Sequence, residues 1–215
     1  SGTGYGPQVS FTTIANLSSV TIGTQIWSSK NLDVRTYRNG DLIPQVTDPT
    51  QWANLTTGAW CWYNNDSVTF AATYGRLYNW YAVNDPRGLA PNGWHVPTDA
   101  EWNKLVKYFD AGADTLCQNC SQSSITGGSL KETGTLHWVT PNAGATNSIG
   151  FLGLPGGFRY NNGTFYGVWY YGRWWTASPF DLNFAWYRDL HYDDSNIYRY
   201  PNNNTNGFSV RVVRD

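Results

Sequence analysis

The chain has 215 residues, a formal net charge of −1 and only 13% charged side chains, so it offers no basic stripe for nucleic-acid phosphates and no polybasic segment for anionic lipid. No apolar run approaches the roughly 20 residues that cross a bilayer, so direct membrane insertion is not expected. With no Met, the sequence is expected to be a processed chain or a fragment, of one domain.

Residues 1–19, rich in Gly, Ser and Thr, read as a linker or an edge strand from a preceding module, with a weak strand at 9–14. The domain proper, 20–215, opens on a hairpin over 20–27 that turns at Gly23-Thr24, and a second turn falls at Asn39-Gly40. Two helices are predicted. One spans 74–83, where Leu77, Tyr78, Trp80 and Tyr81 make an apolar face that stops before Asn84-Asp85-Pro86. The other follows the capping box Thr98-Asp99-Ala100-Glu101, with Trp102, Leu105, Val106 and Phe109 at i, i+3, i+4 and i+7. Beyond Gly127-Gly128 no further helix is expected, because Gly and Pro punctuate short strands every few residues. Helices followed by an irregular β region place the chain in the α+β class. The terminal Phe208-Ser209-Val210-Arg211-Val212-Val213 reads as a near-central strand, with Phe208, Val210 and Val212 facing the core.

Chemistry-bearing motifs are sparse. Cys117 and Cys120 either form a local disulfide or stay reduced, since no second Cys or His pair completes a tetrahedral zinc site, and Cys61 between Trp60 and Trp62 reads as a buried small hydrophobe. His95 and His137 read as hydrogen-bonded structural residues. No nucleophile elbow, paired-His metal motif or phosphate loop occurs, and Asp189, Asp193 and Asp194 read as a solvated acidic patch rather than an acid–base pair. An enzyme is not expected, nor any cofactor.

The segment from Gly150 onward has no Lys, Glu, Gln or Met, yet is crowded with Tyr, Trp, Asn and Asp. Tyr and Trp supply contact area at low conformational cost and short polar side chains supply adaptable hydrogen bonds, which is the composition of a recognition surface. Along residues 185–193, Trp186, Arg188, Leu190 and Tyr192 alternate with Tyr187, Asp189, His191 and Asp193, so a strand puts each set on its own face. The first set is expected to be buried scaffold, and the second, exposed. The ligand-binding candidates are Tyr166, Tyr170, Tyr171, Tyr187, Asp189, His191, Asp193, Asp194, Asn196, Tyr198, Tyr200, Asn202 and Asn204, with Trp174, Trp175 and Trp186 as scaffold. The second set, with Asn196, Tyr198, Tyr200, Asn202 and Asn204, consists of types reachable from an AAC codon by changing its adenines, whereas Lys, Glu, Gln and Met are not.

Ordered stretches carry a resemblance. Ile22-Gly23-Thr24-Gln25-Ile26-Trp27, Tyr74-Gly75-Arg76-Leu77-Tyr78-Asn79-Trp80, Gly93-Trp94-His95-Val96-Pro97-Thr98, Gly127-Gly128-Ser129-Leu130-Lys131-Glu132, Leu154-Pro155-Gly156-Gly157, Trp174-Trp175-Thr176-Ala177-Ser178 and the terminal Gly-Phe-Ser-Val-Arg are similar to the Fibrobacter succinogenes major paralogous domain. The resemblance covers residues 20–215 and departs from the family at Val212, where Cys is usual. It implies a C-type-lectin-like fold related to formylglycine-generating enzymes: two helices and a small mixed or antiparallel sheet with long irregular loops. It also implies likeness to the variable proteins of diversity-generating retroelements, with a variable segment of about 158–206. The related oxidases act through cysteines near the C-terminal end, and no Cys follows Cys120 here. The Glu-Pro-Asn, Gln-Pro-Asp and Trp-Asn-Asp triplets of calcium-dependent sugar binding are also absent, while a structural calcium ion held elsewhere stays open. The expectation is a binding protein, extracellular, on a cell surface or on a phage tail, whose partner is a protein or glycan on a target cell. The alternatives are a calcium-independent glycan-binding module and a structural fibre subunit of fixed specificity.

Overall fold

The Gly23-Thr24 pair turns the chain as its sequence predicts: β1 (Ser19–Ile22) and β2 (Gln25–Ser28) pair antiparallel with Ile22 opposite Gln25, and Gly23 takes a φ of 59°. The computed structural model describes residues 16–215, so the strand expected at 9–14 lies outside the described residues. A short helix α1 (Pro49–Ala53) follows, with Pro49 at its start and the Asp48 side chain accepting from the Gln51 amide. Next come β3 (Trp60–Cys61), a 3-10 turn at Tyr63–Asn65, α2 (Ser67–Tyr74) capped by Asp66, β4 (Leu77–Tyr78) and α3 (Trp80–Val83) capped by Asn79.

The single helix expected over 74–83 is therefore corrected. Gly75 adopts a φ of 70° and ends α2, and Leu77 and Tyr78 pair instead with Cys61 and Trp60. After β5 (Trp94–His95), α4 (Asp99–Phe109) carries both halves of its capping box and buries Trp102, Leu105 and Val106. Then come β6 (Cys120–Ser123) and α5 (Thr126–Leu130), which overturns the expectation of no later helix. The glycines of α5 serve close packing rather than propensity: a Cβ at Gly127 would lie 1.9 Å from the Asn196 carbonyl oxygen. Cys117 and Cys120 are bridged, and Cys61 is a fully buried free thiol.

The remaining strands are β7 (Gly156–Arg159), β8 (Phe165–Val168), β9 (Tyr171–Pro179), β10 (Phe184–His191), β11 (Ile197–Asn203) and β12 (Val213–Arg214). The sheets run β1-β2-β12-β5, β6-β11-β10-β9, β3-β4 and β7-β8. The fold is α+β, but the expected C-type-lectin-like arrangement of two helices and one small sheet is overturned by five α-helices and twelve strands in four antiparallel sheets among the described residues. Strands of two residues show no period in sequence, and helices of four or five residues are held by caps and packing, so neither left a periodic signal.

The C-terminal segment differs from its expected form in one respect. Phe208, Val210 and Val212 are fully buried, but the ladder is confined to β12, which lies between β2 and β5. Upstream, single bridges join Phe208 to Tyr78 and Ser209 to Trp174. Arg211 is wholly buried in this stretch. Its guanidinium donates to the carbonyls of Ser28, Phe151 and Leu152 and to Asn31 Oδ1, at 2.7–2.9 Å, tying three chain segments together.

His95 closes the same region, its Nε2 2.8 Å from Glu101 and its Nδ1 2.7 Å from Asp215. The hydrogen bond to Glu101, with that to Asp215, raises His95 from 6.5 to about 8; burial would raise Glu101, yet the bonds from His95 and Thr98 outweigh it and hold Glu101 at about 2. The His95 contribution is complete below pH 6.5 and is lost as pH rises through 8, while that of Glu101 is complete above 4.5 and is lost as pH falls through 2. The melting-temperature gap between the wild type and His95→Gln is therefore expected to be widest between pH 4.5 and 6.5 and to shrink by pH 9. It corresponds to about 1 kcal/mol once solvent screening of the partly exposed ring is allowed for. A gap as wide at pH 9 as at pH 6 would refute the pairing.

Candidate functional site

Antiparallel register assembles the site. Across β9, β10 and β11, Trp175, Tyr187 and Tyr200 face one another in one row, Arg173, Asp189 and Tyr198 in the next, and His191 lies opposite Tyr171. Because side chains alternate, all of these share one face of the sheet. The opposite face carries Trp174, Arg188 and Leu190, and is covered by α4: Arg188 and Arg199 both bind Asp99, and Trp174 packs on Trp102. The faces segregate as the period-two pattern predicts.

The expected difference in exposure does not follow. Tyr187 and Asp189 are 4% and 1% exposed, as deeply buried as Trp186, Arg188 and Leu190. β10 lies inside the sheet with a neighbour on each side, α4 covers its back, and Phe208 and Trp175 pack on Tyr187 with ring centroids at 4.7 and 6.1 Å. Tyr187 thus belongs to the main core cluster. Tyr192, expected to be buried, is half-exposed beyond the strand end. Asn204 is a further correction. It is 1% exposed, and its backbone carbonyl accepts from the Trp80 amide while its side chain donates to the Leu182 carbonyl, so it braces a loop.

The other candidates do gather at the surface. Tyr166 and Tyr170 are exposed, as is Asp193; Tyr171, His191, Asp194, Asn196, Tyr198, Tyr200 and Asn202 are half-buried. Ring contacts, through Tyr160 and the buried Phe158, join the aromatic candidates in a continuous run. Tyr166 meets Tyr160 at 5.0 Å, Tyr160 meets Phe158 at 4.9 Å, Tyr171 lies 6.4 Å from Phe158 and 5.0 Å from His191, and His191, Tyr198 and Tyr200 stack at 4.5 and 5.6 Å. Such offset and edge contacts hold each ring in one orientation.

The floor of this face is an ion pair. Arg173 Nε donates to Asp189 Oδ2 at 2.9 Å, and its guanidinium lies 3.7 Å from the centre of the Phe158 ring. Asp189 Oδ1, shielded from water, has no hydrogen-bond partner. At the rim, the Tyr198 hydroxyl donates to Asp194 Oδ2 at 2.6 Å and accepts from Asn196 Nδ2. Burial, then that bond to Asp194, pushes the Tyr198 phenol up to about 12, and burial with the nearby Asp189 charge raises Tyr171 and Tyr200. The phenols therefore remain neutral donors at physiological pH.

Several parts of the site left no clear sequence signal. Lys131, fully buried, donates to the carbonyls of Ala143, His191 and Asp194 at 2.6–2.9 Å and so shapes the 191–194 loop from beneath; burial pulls its ammonium down to about 8. Arg173 reads in sequence as one more β-strand residue. Trp169, half-exposed beside Tyr170, adopts a φ of 72°, a left-handed conformation that costs a bulky residue energy, and at the β8–β9 connection it lines a pocket with His137 and Trp138. A cavity of about 330 Å3, lined among others by Leu17, Lys30, Asn31 and Val212, shares no residue with the aromatic face.

The Fibrobacter succinogenes major domain matches residues 20–214. No curated protein and no solved structure matches the chain. None of the described helices is long and apolar enough to cross a membrane.

Proposed function

The chain belongs to the Fibrobacter succinogenes major domain family, and from that premise we propose that it is a non-enzymatic ligand-binding domain, displayed on a cell surface or phage tail, whose recognition surface is the Tyr-rich face of β9, β10 and β11. The observation that carries this is the continuous run of rings from Tyr166 to Tyr200, lying over the Arg173–Asp189 ion pair and opening to solvent at Tyr166 and Tyr170. Rigid aromatic anchors beside short polar side chains are what protein-binding hot spots use. Tyr187 and Asp189 support the surface from below rather than forming it.

Retroelement diversification of residues 158–206 is part of the proposal, supported by the absence of Lys, Glu, Gln and Met after Gly150. Sequencing the DNA beside the gene tests it. The expected result is a near-copy of the segment's coding sequence next to a reverse transcriptase gene, with mismatches confined to template adenines; a neighbourhood lacking such a copy rules out diversification. A second reading, glycan binding, draws on Trp169, Tyr160 and Tyr166, whose exposed rings could stack on sugars. A glycan array distinguishes the two, because the protein-ligand reading expects no sugar to be bound in a way that Trp169→Ala abolishes.

A further inference from the structure

We propose that His191, Asp193 and Asp194 form a binding site for a divalent transition-metal ion, with Asp189 as a positioning residue. The site rests on its own geometry and does not depend on the protein-ligand reading. The imidazole and the two carboxylates each offer a ligand atom, and all of these lie within 4.8 Å of one another. Asp193 is exposed and Asp194 half-buried, so coordination positions on the outer side remain open to water or to a ligand's own donor group.

Two buried polar atoms beside the cluster point to the same use. His191 Nε2 and Asp189 Oδ1 are shielded from water and lack a hydrogen-bond partner, although Nε2 lies 3.4 Å from Asp189 Oδ2. Asp189, only 1% exposed, thus directs an incompletely satisfied carboxylate at the ring. His191 Nδ1 faces the other way, 3.9 Å from Asp194 Oδ2. An ion taken up at Nδ1 fixes the proton on Nε2, which then donates to Asp189. Carboxylate, imidazole and metal in that order is the arrangement by which a second residue orients a metal-binding His.

The ligands are held in place before any ion arrives. Tyr198 stacks on the His191 ring at 4.5 Å and Tyr171 meets it edge-on at 5.0 Å, so the ring cannot turn freely. Tyr198 also holds Asp194 through its hydroxyl, and Lys131 pins the His191 and Asp194 carbonyls from below. One nitrogen and two carboxylates suit an ion such as Zn2+ or Mn2+; Ca2+ prefers six to eight oxygens and gains little from imidazole.

Isothermal titration of the tag-free full chain after chelator treatment, with ZnCl2, MnCl2 and CaCl2 in turn, tests the proposal. One Zn2+ per chain is expected, bound at least tenfold more tightly than Ca2+. His191→Ala and the surface change Asp193→Asn should each weaken Zn2+ by tenfold or more, while His137→Ala should leave it unchanged. Asp189→Asn should weaken it by ten- to hundredfold and shift the His191 tautomer seen in 15N NMR spectra of the ring. Because Asp193 is exposed, its variant should fold normally, and the rise in melting temperature on adding Zn2+ should disappear in it. Absence of saturable binding, Zn2+ binding indifferent to both His191→Ala and Asp193→Asn, or Ca2+ binding as tight as Zn2+ overturns the proposal. None of these outcomes bears on whether the aromatic face binds a protein.

Discussion

Replacing Tyr187 by Ser is expected to cost roughly 3–5 kcal/mol of stability, through the cavity left by the ring and the small hydroxyl stranded in its place. The ring is 4% exposed, packs on Trp175, Phe208 and Tyr200 at centroid distances of 6.1, 4.7 and 5.9 Å, and faces the Arg173 guanidinium at 5.5 Å. For a chain of this size the loss corresponds to a fall in melting temperature of about 10 °C. Tyr166→Ser combined with Tyr170→Ser, both at exposed positions, should change stability by only about 1 kcal/mol. Against a cognate ligand the exposed pair should instead weaken binding by two decades or more, since each lost aromatic anchor typically costs ~2 kcal/mol. Thermal melts of the two variants separate support from surface. If the Tyr187 variant melts like the wild type while the exposed pair collapses, the face has been drawn inside out.

Asp99→Ala should be comparably damaging, by about 3–5 kcal/mol, because it strands two buried cations. Asp99 at the start of α4 accepts from Arg188 Nη1 and from Arg199 Nε and Nη2, each at 2.9 Å, and the two arginines are 0% and 7% exposed. Arg188 also donates to Asn103 Oδ1 at 2.8 Å, and Arg199 lies 3.4 Å from the centre of the Trp186 ring, so one carboxylate organises the whole back of β10 and β11. Burial alone would raise the Asp99 carboxyl, but the bond from Arg199 and the charge of Arg188 outweigh it and hold it below its ordinary 3.8. Its contribution is therefore complete above pH 3.8 and is lost as pH falls through the lowered value. Acid titration followed by circular dichroism should show the wild type losing stability below pH 4, with Asp99→Ala already destabilised at pH 7 and less sensitive to acid over that range. Replacing Asp99, Arg188 and Arg199 together by apolar residues should recover much of the loss, as expected when a buried charge network is removed as a unit.

The sequence by itself determined what depends on neighbours a few residues apart. The capping box Thr98 to Glu101 and the apolar spacing behind it define α4, and Gly23-Thr24 defines the first hairpin, because each is settled by contacts within one or two turns of chain. Alternation likewise assigned Tyr187, Asp189 and His191 to one face of β10 and Arg188 and Leu190 to the other, since the pleat allows no alternative. Tertiary structure alone decided which positions on that face meet water. Tyr is equally at home in a core and on a binding surface, so composition could not separate Tyr187 from Tyr200, and the difference arises because Phe208 and Trp175 pack on Tyr187, whereas Tyr200 lies beyond the β6 pairing, which ends at Arg199. The burial of Arg188 followed from that alternation, but what Lys131, Arg159, Arg188 and Arg211 bind was unreadable for the same reason. Their partners are carbonyls, or carboxylates, brought from distant parts of the chain, and no local pattern of residues encodes a partner that only folding supplies.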